Sequence, residues 1–246
     1  MELLGIDVGG SGIKGAKVNM ETGELTTERF RVPTPRPATP ESMALAVKEV
    51  VDHFDWKGPI GVGFPTIVVN GKCKSQSNLH RDWVNTQIDK LFKEVCGNDF
   101  NVINDADAAG LAEMNFGAGK GKNGLVVTIT LGTGIGSGVF YNGQLIPNFE
   151  LGHLRYKKNT PVEKYAADSI RELKNLSTKA WGERLNYFFN YVKRVISPDL
   201  IIVGGGASKK WDKLSPHFSD DLNLVVAETR NEAGIIGAAM ASKGMV

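Results

Sequence analysis

The stretch Leu3-Leu4-Gly5-Ile6-Asp7-Val8-Gly9-Gly10-Ser11-Gly12-Ile13-Lys14-Gly15-Ala16-Lys17-Val18 decides the fold. Its first six residues read as an apolar strand with one carboxylate near the end. Gly9-Gly10-Ser11-Gly12 is a turn, and residues 13–18 read as a second strand. Residues 19–24 form a further turn around Gly23, and residues 25–32 read as a third strand, which makes an antiparallel meander. Glycine lets a backbone turn at positive φ and come close to a ligand. Successive N–H groups in such a turn form a concavity that suits an anion.

The same unit returns in the second half. Leu125–Leu131 reads as a strand, Gly132-Thr133-Gly134 as its turn, Ile135–Tyr141 as the return strand, and Asn142-Gly143 as a hairpin turn. Ile6-Asp7-Val8-Gly9 aligns with Ile129-Thr130-Leu131-Gly132, and the second glycine turn is one residue shorter. An internal copy predicts two related lobes facing each other. A third glycine run, Gly204-Gly205-Gly206, follows the apolar residues 200–203.

Between these landmarks the periodicity alternates. Residues 33–40 carry four prolines and read as an extended connector. Thr39-Pro40-Glu41, followed by Met43, Leu45, Ala46 and Val50, marks a helix start. Ile60–Phe64 is a buried strand. A helix over residues 86–96 leads to a strand over 100–103 and then to Asn104-Asp105-Ala106-Asp107-Ala108. A long helix occupies residues 181–196, and a Gly/Ala-rich helix occupies Ala233–Ala241.

The bulk properties bound the function. The chain has 246 residues, 41% of them hydrophobic and 23% charged, ordinary values for a globular protein. A net charge of +2 gives no electrostatic reason to expect a nucleic-acid partner. No apolar run approaches the roughly 20 residues that span a membrane. No secretory leader precedes the first strand, and the two cysteines, Cys73 and Cys96, suit reduced thiols in a cytoplasm.

Each candidate residue has two readings. The glycine turns are tight hairpins or phosphate cradles, with Ser11 and Thr133 as hydroxyl donors and Lys14 as a cation inside the first. None has the spacing of a P-loop or of a dinucleotide-binding turn. Asp7 either bonds to its own turn or holds the hydration shell of a Mg²⁺ ion, which takes few protein carboxylates and keeps several waters. Asn104 and Asp105 either cap a helix or line a cleft at a strand end. Glu150-Leu151-Gly152-His153 places a carboxylate and an imidazole around a glycine. A carboxylate accepts from two hydroxyls and an imidazole both donates and accepts, so the pair suits vicinal hydroxyls.

Five segments in order resemble the ROK family of sugar kinases and repressors, whose fold is shared with actin. They are Gly5-Ile6-Asp7-Val8-Gly9-Gly10, Asn104-Asp105-Ala106-Asp107-Ala108, Leu131-Gly132-Thr133-Gly134-Ile135-Gly136, Glu150-Leu151-Gly152-His153 and Val203-Gly204-Gly205-Gly206. The resemblance implies an α/β, two-lobed actin-like (ribonuclease H-like) fold with a cleft between the lobes. It implies one lobe from residues 1–107 plus about 230–246, and another from 108–229. It implies that Asp105 is the base for a sugar hydroxyl, and that Asn104, Asn78, Glu150 and His153 bind sugar. Glu163, in the Glu163-Lys164-Tyr165-Ala166 segment, joins them. Gly9, Gly10, Ser11, Gly12, Lys14, Gly132, Thr133, Gly134, Gly204, Gly205 and Gly206 are implied to hold the donor, with Mg²⁺ on Asp7.

Many members carry a cysteine-rich zinc motif after the Glu-x-Gly-His element. Residues 154–162 have no cysteine, so no structural zinc is expected. This and a short chain resemble the polyphosphate glucokinase branch, as do Pro33-Thr34-Pro35-Arg36-Pro37-Ala38-Thr39-Pro40 and Asn231-Glu232-Ala233-Gly234-Ile235-Ile236-Gly237-Ala238-Ala239. The branch implies a cytoplasmic homodimer that phosphorylates glucose at its 6-hydroxyl from inorganic polyphosphate, ATP or both. An ATP-dependent hexose kinase is the alternative. A sugar-responsive repressor would need a DNA-binding domain ahead of Leu3, and a non-catalytic sugar-binding module would not need Asp105.

Overall fold

A computed structural model describes residues 1–242. The chain divides into two compact units, Met1–Ala112 with the chain from Glu232 onward, and Glu113–Asn231.

The first unit is built on a five-stranded sheet. Its strands are β1 (Glu2–Val8), β2 (Gly12–Asn19), β3 (Phe30–Pro33), β4 (Ile60–Phe64) and β7 (Phe100–Asn104), in the order β3-β2-β1-β4-β7. β1–β2 and β2–β3 are antiparallel, while β1–β4 and β4–β7 are parallel. β5 (Val68–Val69) and β6 (Lys72–Cys73) form a separate hairpin. α1 (Pro40–His53) starts where the sequence predicts, with Thr39 accepting from the Ser42 N–H and proline in the first turn. α2 (Ile88–Cys96) ends on Gly97 in the left-handed region. In the core Phe64, Trp83 and Phe92 are in mutual ring contact, and Phe92 also meets Phe100.

The expected third strand is shorter than the run 25–32. Leu25 makes only a bridge to Val18. The Lys17 N–H, which would continue the ladder, donates instead to the Thr27 hydroxyl at 3.1 Å. A side-chain oxygen has replaced backbone pairing, and regular pairing resumes at Phe30.

β7 passes directly into α3 (Asp105–Phe116). The second unit's sheet consists of β8 (Leu125–Leu131), β9 (Ile135–Tyr141), β10 (Gln144–Ile146), β11 (Leu200–Gly205) and β12 (Leu224–Val226), in the order β10-β9-β8-β11-β12. β8–β9 and β9–β10 are antiparallel, β8–β11 and β11–β12 parallel. Order and sense repeat those of the first sheet, so the copy legible in sequence extends to all five strands. Short helices α4 (Glu163–Ala166), α5 (Asp168–Leu173) and α7 (Trp211–Leu214) surround the long α6 (Thr178–Ile196). α6 buries Trp181, Leu185, Phe188, Phe189 and Val192, the one-in-three-or-four spacing of an amphipathic helix.

The last described helix, α8 (Ala233–Ala241), returns to the first unit. It lies against glycines. A Cβ on Gly5 would sit 2.0 Å from the Ile235 oxygen, and one on Gly61 would sit 1.6 Å from the Ala238 oxygen. A Cβ on Gly237 would likewise fall 1.6 Å from the Ala108 oxygen of α3. Backbone therefore meets backbone where β1, β4, α3 and α8 converge. No described helix is long and apolar enough to cross a membrane.

Candidate active site

In the first unit the polar residues collect at the carboxyl ends of the parallel strands, where open α/β sheets place their ligands. Asp7 on β1 pairs in register with Gly63 on β4, and Phe64 pairs with Asn104 on β7. A Cβ on Gly63 would lie 3.6 Å from the Asp105 Cα, and one on Gly234 would lie 3.0 Å from the Asp7 carboxyl carbon. Glycines thus hold the two aspartates close to their neighbours.

Asn104 and Asp105 divide the two readings between them. The Asn104 oxygen accepts the Ala106 and Asp107 N–H groups at 2.8 and 3.1 Å, and its amide donates to the Thr66 oxygen at 3.0 Å. Asn104 therefore caps α3, with one amide hydrogen left for a ligand. Asp107 is 1% exposed and belongs to the interior. Asp105, at the strand–helix junction, is half-buried.

Asp7 faces Lys14 at 3.5 Å. Burial pushes the Asp7 pKa up, and the Lys14 ammonium only partly counters it. The first glycine turn closes with the Gly9 N–H donating to the Gly12 oxygen at 3.0 Å. Thr34 donates to the Gly9 oxygen at 2.6 Å and Arg31 to the Ser11 oxygen at 2.5 Å. Neither Arg31 nor Thr34 stands out in the sequence. Their roles depend on the β2–β3 register, which the broken third strand conceals.

The turns do not need glycine for the expected reason. Gly9, Gly10, Gly12, Gly132 and Gly134 all lie outside the left-handed region. Gly12 is crowded by the Arg31 guanidinium and Gly134 by the Glu163 carboxylate. At Gly10 and Gly132 a Cβ would meet no protein atom within 4 Å. The third run differs again. Gly204 and Gly205 end β11 rather than forming a turn, and Gly206 opens a 3₁₀ segment. Gly205 has φ 73° with its Cβ position 2.6 Å from the Leu131 oxygen, so it is held to glycine twice over.

In the second unit three sugar-site candidates converge. Ser137 on β9 donates to the Phe149 oxygen at 2.6 Å and accepts the Leu151 N–H at 3.0 Å, which fixes the Glu150–His153 segment on the strand. Gly152 passes so near Ile135 that a Cβ would fall 2.3 Å from its oxygen, which explains a glycine between Glu150 and His153. Glu163 accepts the Ile135 N–H at 3.4 Å and stands 3.9 Å from the His153 ring nitrogen. Burial raises the Glu150 pKa; His153 opposes that rise and Glu163 adds to it. Ser169, unremarked in sequence, donates to the Thr133 oxygen at 2.6 Å and anchors the second turn.

Asn78 is exposed in the segment after the β5–β6 hairpin. Among the described residues no three of His, Cys, Asp and Glu converge to enclose a metal ion.

Two sheets of one topology, each with a glycine turn beside its first parallel strand and polar groups at the strand ends, define a duplicated α/β scaffold of the sugar kinase and actin class. The chain belongs to the ROK family, whose model matches residues 3–169. It is 45% identical over 240 residues to the polyphosphate glucokinase of Mycobacterium tuberculosis, covering 97% of this chain and 90% of that one. With the Mycobacterium leprae polyphosphate glucokinase the identity is 42%, covering 97% and 74%. The crystal structure of the inorganic polyphosphate/ATP-glucomannokinase from Arthrobacter sp. strain KM superposes with TM-score 0.94 at 46% identity, covering 100% of this chain and 99% of that one. A ROK family glucokinase from Streptomyces griseus shares the fold at TM-score 0.83 and 21% identity, covering 99% and 100%.

Proposed function

We propose that this protein is a hexose kinase that transfers the terminal phosphoryl group of inorganic polyphosphate to the 6-hydroxyl of glucose. The observation that carries the reading is similarity to polyphosphate glucokinases over 97% of the chain. The Arthrobacter structure, described as a polyphosphate/ATP-glucomannokinase, supports ATP as a second donor and mannose as a second acceptor.

The roles follow from the two clusters. Glu150, His153 and Glu163 bind sugar hydroxyls, with Asn104 and Asn78 as further contacts. Asp105 accepts the 6-hydroxyl proton as the new O–P bond forms and the donor's bridging P–O bond breaks. Phosphoryl transfer passes through a loose transition state, so the protein contributes mainly position and charge stabilisation. Gly9–Gly12 and Gly132–Gly134 present backbone to the donor. Gly10 and Gly132 are open to its close approach, since no neighbouring protein atom excludes a side chain there. Gly204–Gly206 belong to the donor site as well, and Lys14 stands at the reacting phosphates.

Asp7 fits a Mg²⁺ ion held through water. It is a single carboxylate beside the turn, and a dication would restore the charge that burial disfavours. When bound, Mg²⁺ neutralises phosphate charge. The protein would act as a cytoplasmic homodimer.

The test is formation of glucose 6-phosphate by purified protein with glucose, Mg²⁺ and either polyphosphate or ATP, followed by a coupled dehydrogenase. Turnover with polyphosphate is expected. Absence of product from polyphosphate overturns the donor assignment, and absence from both donors overturns the kinase reading.

A further inference from the structure

Asp7, Lys14 and Arg31 form one transverse row across three strands. Asp7 on β1 is the register partner of Lys14 on β2, and Lys14 is the register partner of Arg31 on β3. Directly opposite residues of antiparallel strands share a face. Adjacent strands lie about 4.8 Å apart, so the row extends about 10 Å from the core of the sheet to its edge. Exposure rises along it. The Asp7 side chain is 24% exposed and that of Lys14 35%, while Arg31 is exposed on the edge strand.

The charges of the row do not cancel. Lys14 pairs with Asp7, whereas Arg31 makes no ion pair among the described residues. It donates to the Ser11 oxygen inside the first glycine turn, which spends one of its five N–H donors. The guanidinium also lies over Gly12, where a Cβ would be 2.5 Å from its Nε. Two cations directly opposite each other on a sheet repel. The arrangement keeps both, and it pins the outer one to the turn that faces the donor. Such a row is stabilised by an anion that extends along it.

We infer that Arg31 is a donor-specificity residue, which grips the phosphates of a long polyphosphate chain beyond those held at Lys14. The inference rests on the polyphosphate reading above. A nucleoside triphosphate or tripolyphosphate brings only three phosphates to the row. A longer chain continues to bring charge to its outer end, where the planar guanidinium offers paired donors to phosphate oxygens.

The experiment measures equilibrium binding of long-chain polyphosphate and of tripolyphosphate to the full chain over a range of salt, for wild type, Arg31→Ala and Arg31→Lys. Arg31→Ala is expected to weaken the long chain about tenfold and tripolyphosphate less than about twofold. The slope of log affinity against log salt for the long chain should become shallower by about 0.7, the value for one lost contact to a single-stranded polyanion. Arg31→Lys should keep the slope, because the charge remains. Unchanged melting in each variant separates these effects from misfolding. Equal weakening of both donors, or none in either, overturns the inference while wild-type binding of polyphosphate leaves the kinase reading in place. A wild type that phosphorylates glucose from ATP but does not bind polyphosphate overturns both the inference and the polyphosphate assignment, and leaves the kinase reading in place.

Discussion

Asp105 and Asp107 stand two residues apart in one motif, and their surroundings separate them. Asp107 is buried within the first turn of α3, while Asp105 is only half-buried. Asp105→Asn is expected to keep the fold and sugar binding while turnover falls by about 10²–10⁴, the usual contribution of a general base. Glucose titration followed by tryptophan fluorescence, alongside steady-state rates, makes the comparison. A near-normal rate would remove Asp105 from its role. Asp7 yields a prediction of opposite sign for stability. Its pKa is raised in the folded state by burial, so the folded protein holds that proton more tightly than the unfolded chain. Ionising Asp7 therefore destabilises the fold, and this penalty grows as pH rises from the ordinary carboxylate range towards the elevated folded value. Asp7→Asn removes the penalty. The variant should melt no lower than wild type at pH 7, with the difference vanishing in acid, and should lose activity. A variant that melts well below wild type at neutral pH would contradict this.

At the scale of elements, glycines serve two separate ends. Gly61 lets β4 touch α8, and any side chain there would collide with the Ala238 backbone. Gly61→Ala is expected to cost on the order of 3 kcal/mol, at the upper end of overpacking effects. Gly10→Ala meets no protein atom, so its melting should match wild type while the donor KM rises. Thermal melts and donor titrations of the pair test this division, and a stability loss at Gly10 equal to that at Gly61 would refute it. The sequence makes much of this level legible. The strand–turn–strand units, the start of α1 and the span of α8 all stand where periodicity, a Thr-Pro cap and small residues place them. The end of the third strand does not, because a threonine hydroxyl can take over a backbone partner without leaving a local pattern. Ser137 and Ser169 were likewise hidden. Each bonds to backbone at least a dozen residues away, and only the folded register brings those groups together. Arg31 was obscured by the same broken strand.

For the molecule as a whole, the chain passes between its two units at residues 112–113 and again at 231–232. Glu113, 3% exposed, stands at the first crossing and gathers the chain leading to the second. Its carboxylate accepts the N–H groups of Ala118 at 3.0 Å, Glu228 at 3.1 Å and Thr229 at 2.8 Å, and also the Thr229 hydroxyl. Glu113→Ala strands these donors, and a loss of about 3 kcal/mol is expected, typical of removing a charged acceptor from buried partners. Urea denaturation measures it, and a change below about 0.5 kcal/mol would mean that the strand ends hold their positions unaided.

The return of α8 to the first unit has a consequence for how the chain is made. β1 and β4 emerge from the ribosome early, but the helix that covers their glycines is translated only after the entire second unit. At ordinary synthesis rates of 5–20 residues per second the wait is on the order of 10 s. During it the backbone of Gly5 and Gly61 faces water or a chaperone instead of Ile235 and Ala238. Nascent chains arrested before residue 232 are expected to leave the first unit open to protease, although every one of its strands has already been made. Protection should arrive abruptly once α8 clears the exit tunnel.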